Sequence, residues 1–270
     1  MAYNEFLADR IEQEKMSMRF INGSLIVMLI FGLTDDCTCQ AGFKQEQLAY
    51  PRVRHAYEEA GDWMDSMLTD HQIDNDGMEL YLRAFKQEKE IEVWARNKGD
   101  SRYIKLQEYK VCRTSGTLGP KRQQGDLQIP EGFYHVAVFN PASSFHLSMC
   151  INYPNRSDRI LGVQGNLGGN ICIHGSCVTI GCLPLTDHII KQLYILCVEA
   201  KNGGQSRIPV TIYPVRMTPL NFTILSWLNS KSQDNLNLWA DLRTEYEHFQ
   251  STNEKPGIIF LDNGQHRIND

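Results

Sequence analysis

Across residues 79–213 the apolar positions fall in short runs broken by turn-forming clusters, a rhythm that admits strands but not a helical bundle. Runs at residues 80–85, 91–95 and 103–106 are separated by charged turns, and residues 86–90 join the first two as a hairpin. Further strands are expected at residues 132–138, 144–151, 170–174 and 208–213. The stretches 116–125, 152–156 and 162–170, rich in Gly, Pro and Asn, read as loops. The fold class is therefore mostly β.

The flanks keep a different period. Val53, Tyr57, Ala60, Met64 and Met67 recur at three-and-four spacing behind Pro51, which suits a first helical turn, so a helix is expected over residues 51–68. A second helix is inserted late in the β region, with Ile189, Ile190, Leu193, Tyr194, Cys197 and Ala200 on its apolar side. Thr186 or Asp187 caps its start and Asn202-Gly203-Gly204 ends it. Beyond Met217 the stripe Leu238, Leu242, Tyr246, Phe249 marks a helical tail. This divides the chain into an N-terminal helical segment (42–78), a catalytic domain (79–218) and a helical C-terminal appendage (219–270).

Residues 24–33 are continuously apolar, too short to span a bilayer but right for the core of an export signal. Arg19 precedes the run, and Cys39-Gln40-Ala41 offers small residues at both positions read before a cut after Ala41. Glu5, Asp9, Glu12 and Glu14 do not suit the positive start of a signal, so translation is expected to begin at Met16 or Met18. Cys37 follows Thr34-Asp35-Asp36 and lacks the small residues of a lipidation site. Residues 1–41 are thus read as a signal peptide, and the protein as exported to the periplasm or cell envelope. A net charge of -5 argues against a nucleic-acid partner, since a phosphate backbone calls for concentrated Lys and Arg.

After such a cut six cysteines remain, an even number for which an oxidising compartment makes disulfides the default. Cys112, Cys150, Cys172 and Cys197 lie in apolar stretches, however, and are expected to be buried thiols rather than bridged. The densest chemistry is Ile173-His174-Gly175-Ser176-Cys177-Val178-Thr179-Ile180-Gly181-Cys182. A strand carrying His174 runs into a tight turn ending at Cys182, which brings a base to a thiol. A neighbouring imidazolium or a helix N-terminus would lower the thiol pKa, making Cys182 a nucleophile and His174 its base. A backbone carbonyl at or beside Gly175 can hold the imidazole tautomer. Gly181 lets the N–H groups leading into Cys182 face a developing oxyanion. The same residues admit other readings: buried filler, or zinc ligation by Cys172, His174, Cys177 and Cys182, although no close Cys pair recurs at a distance as in a structural zinc site.

His174-Gly175, three residues, then Thr179-Ile180-Gly181-Cys182 resembles the active-site motif of the L,D-transpeptidase (YkuD) catalytic family. Phe85-Lys86-Gln87-Glu88, Ile91-Glu92-Val93-Trp94, Gly125-Asp126, Pro130-Glu131-Gly132-Phe133-Tyr134, Ser143-Ser144-Phe145-His146, Tyr153-Pro154-Asn155 with Asp158-Arg159, and Pro214-Val215-Arg216-Met217 extend the likeness over about residues 43–218. They resemble the branch that includes the murein enzyme releasing the outer-membrane lipoprotein from peptidoglycan. Ile180 stands where the wider family has a second His, and Pro184 where it has an Arg.

The resemblance implies a YkuD-like β-sandwich catalytic domain with one inserted helix and helical N- and C-terminal flanks. It makes Cys182 the nucleophile, His174 the base and Gly175 the residue whose backbone orients that base, with Thr179 where Ser is usual and Gly181 in the oxyanion turn. His146 and Arg216 are candidates for substrate contact. The implied reaction is L,D-transpeptidation of diaminopimelate-containing peptidoglycan stem peptides through a thioester, without metal or organic cofactor. The alternatives are hydrolysis of peptidoglycan-linked peptide or lipoprotein bonds by the same thioester, and a non-catalytic zinc-binding or wall-binding module. Partners would be stem peptides and a wall-anchored lipoprotein. Residues 162–169 lack dinucleotide spacing and are expected to form a loop bordering the site.

Overall fold

A computed structural model describes residues 42–269, so the expected signal peptide lies outside the described residues. Helices α1 (Phe43–Leu48) and α2 (Pro51–Asp70) open the described chain. Then come β1 (Met78–Phe85), β2 (Glu90–Asn97), β3 (Ile104–Lys110), β4 (Gly132–Asn140), β5 (Ser148–Ile151), α3 (Arg156–Leu161), β6 (Cys172–His174), β7 (Leu183–Pro184), α4 (Asp187–Asn202) and β8 (Pro209–Tyr213). The C-terminal part is α5 (Pro219–Leu228), α6 (Gln233–Thr252), β9 (Gly257–Phe260) and β10 (His266–Asn269). Strands β1 to β8 are hydrogen-bonded into one mixed sheet in the order β3-β2-β1-β8-β4-β5-β6-β7, and β9 pairs with β10 alone. Mostly β with helices describes the architecture.

The expected hairpin is present as β1 and β2, antiparallel with Phe85 opposite Glu90. Strand β8 returns parallel to β1, which requires a crossover, and the inserted α4 immediately precedes it. Every residue from Ile190 to Ala200 of α4 is buried, because the helix lies between the sheet on one side and α1 and α2 on the other. Its polar positions are paired: Glu199 meets Lys44 and the Tyr57 hydroxyl, and Lys191 pairs with Glu59. Thr186 caps it through the Ile189 N–H, as its sequence position implied.

β1 is buried on both faces, which its composition had not marked as special. Leu80, Leu82 and Ala84 face α2 and α4, whereas Tyr81, Arg83 and Phe85 face the C-terminal residues. The residues after Met217 therefore supply a second layer over the sheet and end in the β9–β10 hairpin, a strand pair absent from the helical expectation. Trp239 and Phe249 of α6 are fully buried there. The attachment is polar as well as apolar. The buried Glu131 carboxylate accepts from Lys86 Nζ and the Gly119 N–H through Oε1, each at 2.7 Å, and from the Trp239 indole at 2.7 Å through Oε2. Arg83, fully buried, lies over the rings of Phe249 at 4.5 Å and Tyr246 at 5.0 Å and pairs with Glu92 at 3.4 Å.

Two differences from expectation are local. The loop 152–156 continues into α3, started by a reciprocal cap in which the Asn155 side chain accepts from the Asp158 N–H and the Asp158 carboxylate from the Asn155 N–H. The strand expected to start at residue 144 begins at Ser148, because His146 takes a left-handed backbone with φ of 70°.

Truncating Trp239 to Ala removes a fully buried indole and leaves one oxygen of a buried carboxylate without its donor. The expected cost is about 3–5 kcal/mol, read as a lower midpoint in urea unfolding. An unchanged midpoint would show that α6 is not part of the cooperative unit.

Candidate active site

The site is assembled on the three-residue strand β6. It is antiparallel to β5, with Cys150 opposite Cys172 and Ser148 opposite His174, and parallel to β7, with His174 opposite Pro184. Cys182 immediately precedes β7, and its sulfur accepts the Cys172 N–H at 3.4 Å. Thiol and imidazole thus meet the same short strand from its neighbour and from within it.

The imidazole is held from below and above. Its Nδ1 is 2.6 Å from the Gly175 carbonyl oxygen, which fixes Nδ1 as the protonated nitrogen and leaves Nε2 as the acceptor. The Phe145 ring lies over it, centroids 4.7 Å apart at 34°. The Gly175 N–H donates to the Phe145 and Leu147 carbonyls at 3.0 and 3.2 Å. A methyl group at Gly175 would come within 2.6 Å of Asp187 Oδ1 and 2.9 Å of the Phe145 carbonyl oxygen, so glycine is required here by space. Asp187, the first residue of α4, accepts the Ser176 N–H at 2.8 Å and ties this turn to the helix start.

The cysteines correct the sequence expectation. Cys112 is bonded to Cys177, and Cys150 to Cys172, so three of the four expected to be buried thiols are bridged, and only Cys197 is a buried thiol. Apolar context misled because Cys150 and Cys172 sit directly opposite each other on adjacent strands, Cα atoms 3.8 Å apart, a juxtaposition created by pairing rather than by local sequence. Closing loops of 65 and 22 residues stabilises the fold by about 4 and about 3 kcal/mol in the chain-entropy view. The bridges also take Cys172 and Cys177 out of the alternative zinc set. Cys182 is left as a free, partly buried thiol.

The turn into Cys182 is organised by Thr179. Its hydroxyl accepts the Gly181 and Cys182 N–H groups at 3.1 and 2.8 Å and donates to the Cys182 carbonyl at 2.8 Å. The two N–H groups expected to face an oxyanion are thus engaged by Thr179, and a substrate oxygen would have to displace that hydroxyl. Gly181 has φ of 140°, a conformation open to glycine, and the Gln128 carbonyl oxygen lies 3.1 Å from where a Cβ would stand. The 121–128 loop packs here around Asp126, which accepts the N–H groups of Arg122, Gln123 and Gln128 and pairs with Lys121 at 2.5 Å. The 162–170 loop borders the thiol, with the Asn170 carbonyl oxygen 3.6 Å from Cys182 Sγ.

His146 and Arg216 part company. His146 lies beside the His174–Gly175 turn: its Cβ is 3.1 Å from a methyl placed on Gly175, and its carbonyl accepts from Arg52 at 2.7 Å. Arg216 is held elsewhere, by Glu92 at 2.7 Å, Glu90 at 2.6 Å and the Phe85 ring at 4.3 Å. Lys121 was not singled out by sequence reasoning, and Asp126, Phe145 and Asp187 were named only within the resembling motifs or as a helix cap, not as site residues. Only Gly125-Asp126 carried a signal, a turn dipeptide.

Electrostatics differ from the ion-pair expectation. Burial raises the Cys182 thiol above its ordinary value, against the smaller opposing effects of the Cys172 N–H and Lys121. Burial lowers His174, with the Gly175 carbonyl pulling the other way. Both shifts favour neutral groups at neutral pH. Iodoacetamide labelling of the Cys182 peptide should therefore climb about tenfold per pH unit from pH 7 past the ordinary thiol value, and fall in His174→Ala. A plateau below pH 7 would show a preformed thiolate. Gly175→Ala should reduce labelling as His174→Ala does; wild-type labelling would remove the Gly175 carbonyl from its orienting role.

No protein-family model matches the sequence. The chain is 34% identical over 194 residues to "Putative L,D-transpeptidase YafK" of Escherichia coli K12, spanning 71% of this chain and 74% of that protein. The protein of that name from Escherichia coli O157:H7 gives the same values. Among solved structures, the helical cell shape determining protein Pgp2 from Campylobacter jejuni is 21% identical over 74% of this chain and 80% of its own, with a TM-score of 0.42. Bd1075 of Bdellovibrio bacteriovorus is 16% identical over 70% and 79%, with a TM-score of 0.38. These two structural likenesses are too distant to bear on the chemistry, whereas the identity and reach of the YafK match are ample: the chain belongs to the L,D-transpeptidase family.

Proposed function

We propose that this protein is an exported, cysteine-dependent acyl-transfer enzyme acting on diaminopimelate-containing stem peptides of peptidoglycan. The observation that carries the reading is the His174 Nδ1 contact to the Gly175 carbonyl on the strand whose Cys172 N–H meets the free Cys182 sulfur. An imidazole so held presents a basic Nε2, and the neighbouring bridges leave one sulfur able to react.

In this mechanism Cys182 Sγ attacks the carbonyl of the bond between the L and D centres while His174 Nε2 takes the thiol proton. The tetrahedral intermediate collapses, the C–N bond breaks, and His174 returns the proton to the leaving amine. The Cys172 N–H steadies the sulfur as it loses its proton. The resulting thioester is resolved by an acceptor amine, giving a crosslink or a protein anchor, or by water, giving hydrolysis. The family membership and the resemblance of the motif set support the substrate class. Two disulfides support passage through an oxidising compartment, in keeping with the apolar run at residues 24–33.

Purified sacculi incubated with wild type and with Cys182→Ala, then digested and chromatographed, test the reading. Wild type should change the muropeptide pattern and the variant should leave it untouched. New crosslinked peaks identify a transferase, and loss of linked peaks a hydrolase. Identical patterns from both proteins would overturn the proposal. Carbapenem should add its mass to the wild type and not to Cys182→Ala.

A further inference from the structure

A second cavity, of about 180 Å³, lies between the sheet and the C-terminal hairpin, on β4 and β8, two strands away from β6. Phe133 pairs with Thr211 and His135 with Pro209 across the β4–β8 ladder, which sets these four on one face of the sheet, opposite Ile258 and Phe260 of β9. Arg207 and Lys255 complete the charged part of the wall. The lining contains an arginine, a lysine and a histidine, and no carboxylate.

Among the described residues neither Arg207 nor Lys255 has an ion-pair partner, and Lys255 Nζ donates at 3.3 Å to the Pro256 carbonyl and faces the Tyr81 ring at 5.8 Å. Glu245 is the nearby acid, but its two oxygens are taken by the hydroxyls of Tyr81 and Tyr213. Burial lowers Lys255, with Glu245 opposing and Arg96 adding to the fall, and burial and Arg207 together lower His135. Lys255 is the half-buried cation of the wall and burial disfavours its charge, whereas Arg207 stands exposed beside His135; an anion in the cavity would reverse the penalty on Lys255. The rest of the wall is aromatic and aliphatic, suited to an apolar body rather than a bare ion.

We infer that this cavity is a binding site for a small organic carboxylate, its anionic head held by Arg207 and Lys255 and its apolar body by Phe133, Ile258 and Phe260. Asn152, whose side-chain oxygen accepts the His135 N–H at 2.8 Å, has its amide nitrogen available to the same head group.

The test uses benzoate, benzamide and inorganic phosphate as probes, with amide chemical shifts of the intact protein as the readout. Benzoate should produce saturable shifts confined to β4, β8 and residues 255–260. Benzamide, the same body without charge, should produce none, and phosphate should bind at least tenfold more weakly. Arg207→Gln, at an exposed position, and Lys255→Met should each weaken benzoate at least tenfold while leaving the remaining spectrum in place. Absence of saturable shifts, equal binding of benzamide or phosphate, or unchanged affinity in Arg207→Gln would overturn the inference.

Discussion

The candidate chemistry hangs on the pairing of one short strand. β6 has only three residues, too few to hold itself in register by ladder hydrogen bonds alone. Its neighbours do that for it: β5 by antiparallel pairing and the Cys150–Cys172 bridge, β7 by parallel pairing that delivers Cys182 to the Cys172 N–H. The Cys112–Cys177 bridge fixes the turn between His174 and Cys182 from a third side. A thiol and an imidazole eight residues apart are flexible relative to each other in a free chain. Here the intervening turn is crosslinked, and its close is hydrogen-bonded through one threonine hydroxyl.

That rigidity has an electrostatic consequence. Packing Phe145 over the imidazole and partly burying the sulfur removes water that would stabilise either charge. Burial favours the neutral forms of both groups, and what counters it are fixed dipoles and one cation, the Cys172 N–H, the Gly175 carbonyl and Lys121. Such dipoles cost no reorganisation when charge develops, which is the condition under which preorganised groups help most.

Farther out, the sheet is supported by buried polar groups. Glu131 and Lys86 are buried together with an indole N–H and backbone partners, and Arg83 is enclosed by aromatic rings. Breaking such groups is expensive, because each leaves an uncompensated charge. They join the C-terminal helices to β1 and to the start of β4, which makes the tail a structural layer of the described fold.

Much of the architecture was legible in local sequence. The β1–β2 hairpin, the start of α2 at Pro51 and the Thr186 cap follow from turn chemistry, helix periodicity and capping, which act over a few residues. The motif from His174 to Cys182 was readable for the same reason, since its turn and the Gly175 carbonyl are near neighbours of the imidazole. The Asn155 and Asp158 cap of α3 was also written there, as Asn-x-x-Asp, and went unread. Other features had no local signature. The bridging of Cys150 to Cys172, the engagement of Arg216 by Glu90 and Glu92, and the burial of both faces of β1 depend on residues that only folding brings together. The sequence by itself determined most of the strands and helices of residues 51–213 and the residues of the candidate site, because these are short-range properties. Tertiary structure alone decided which cysteines are bridged and how burial shifts Cys182, because strand register and desolvation are properties of the packed chain.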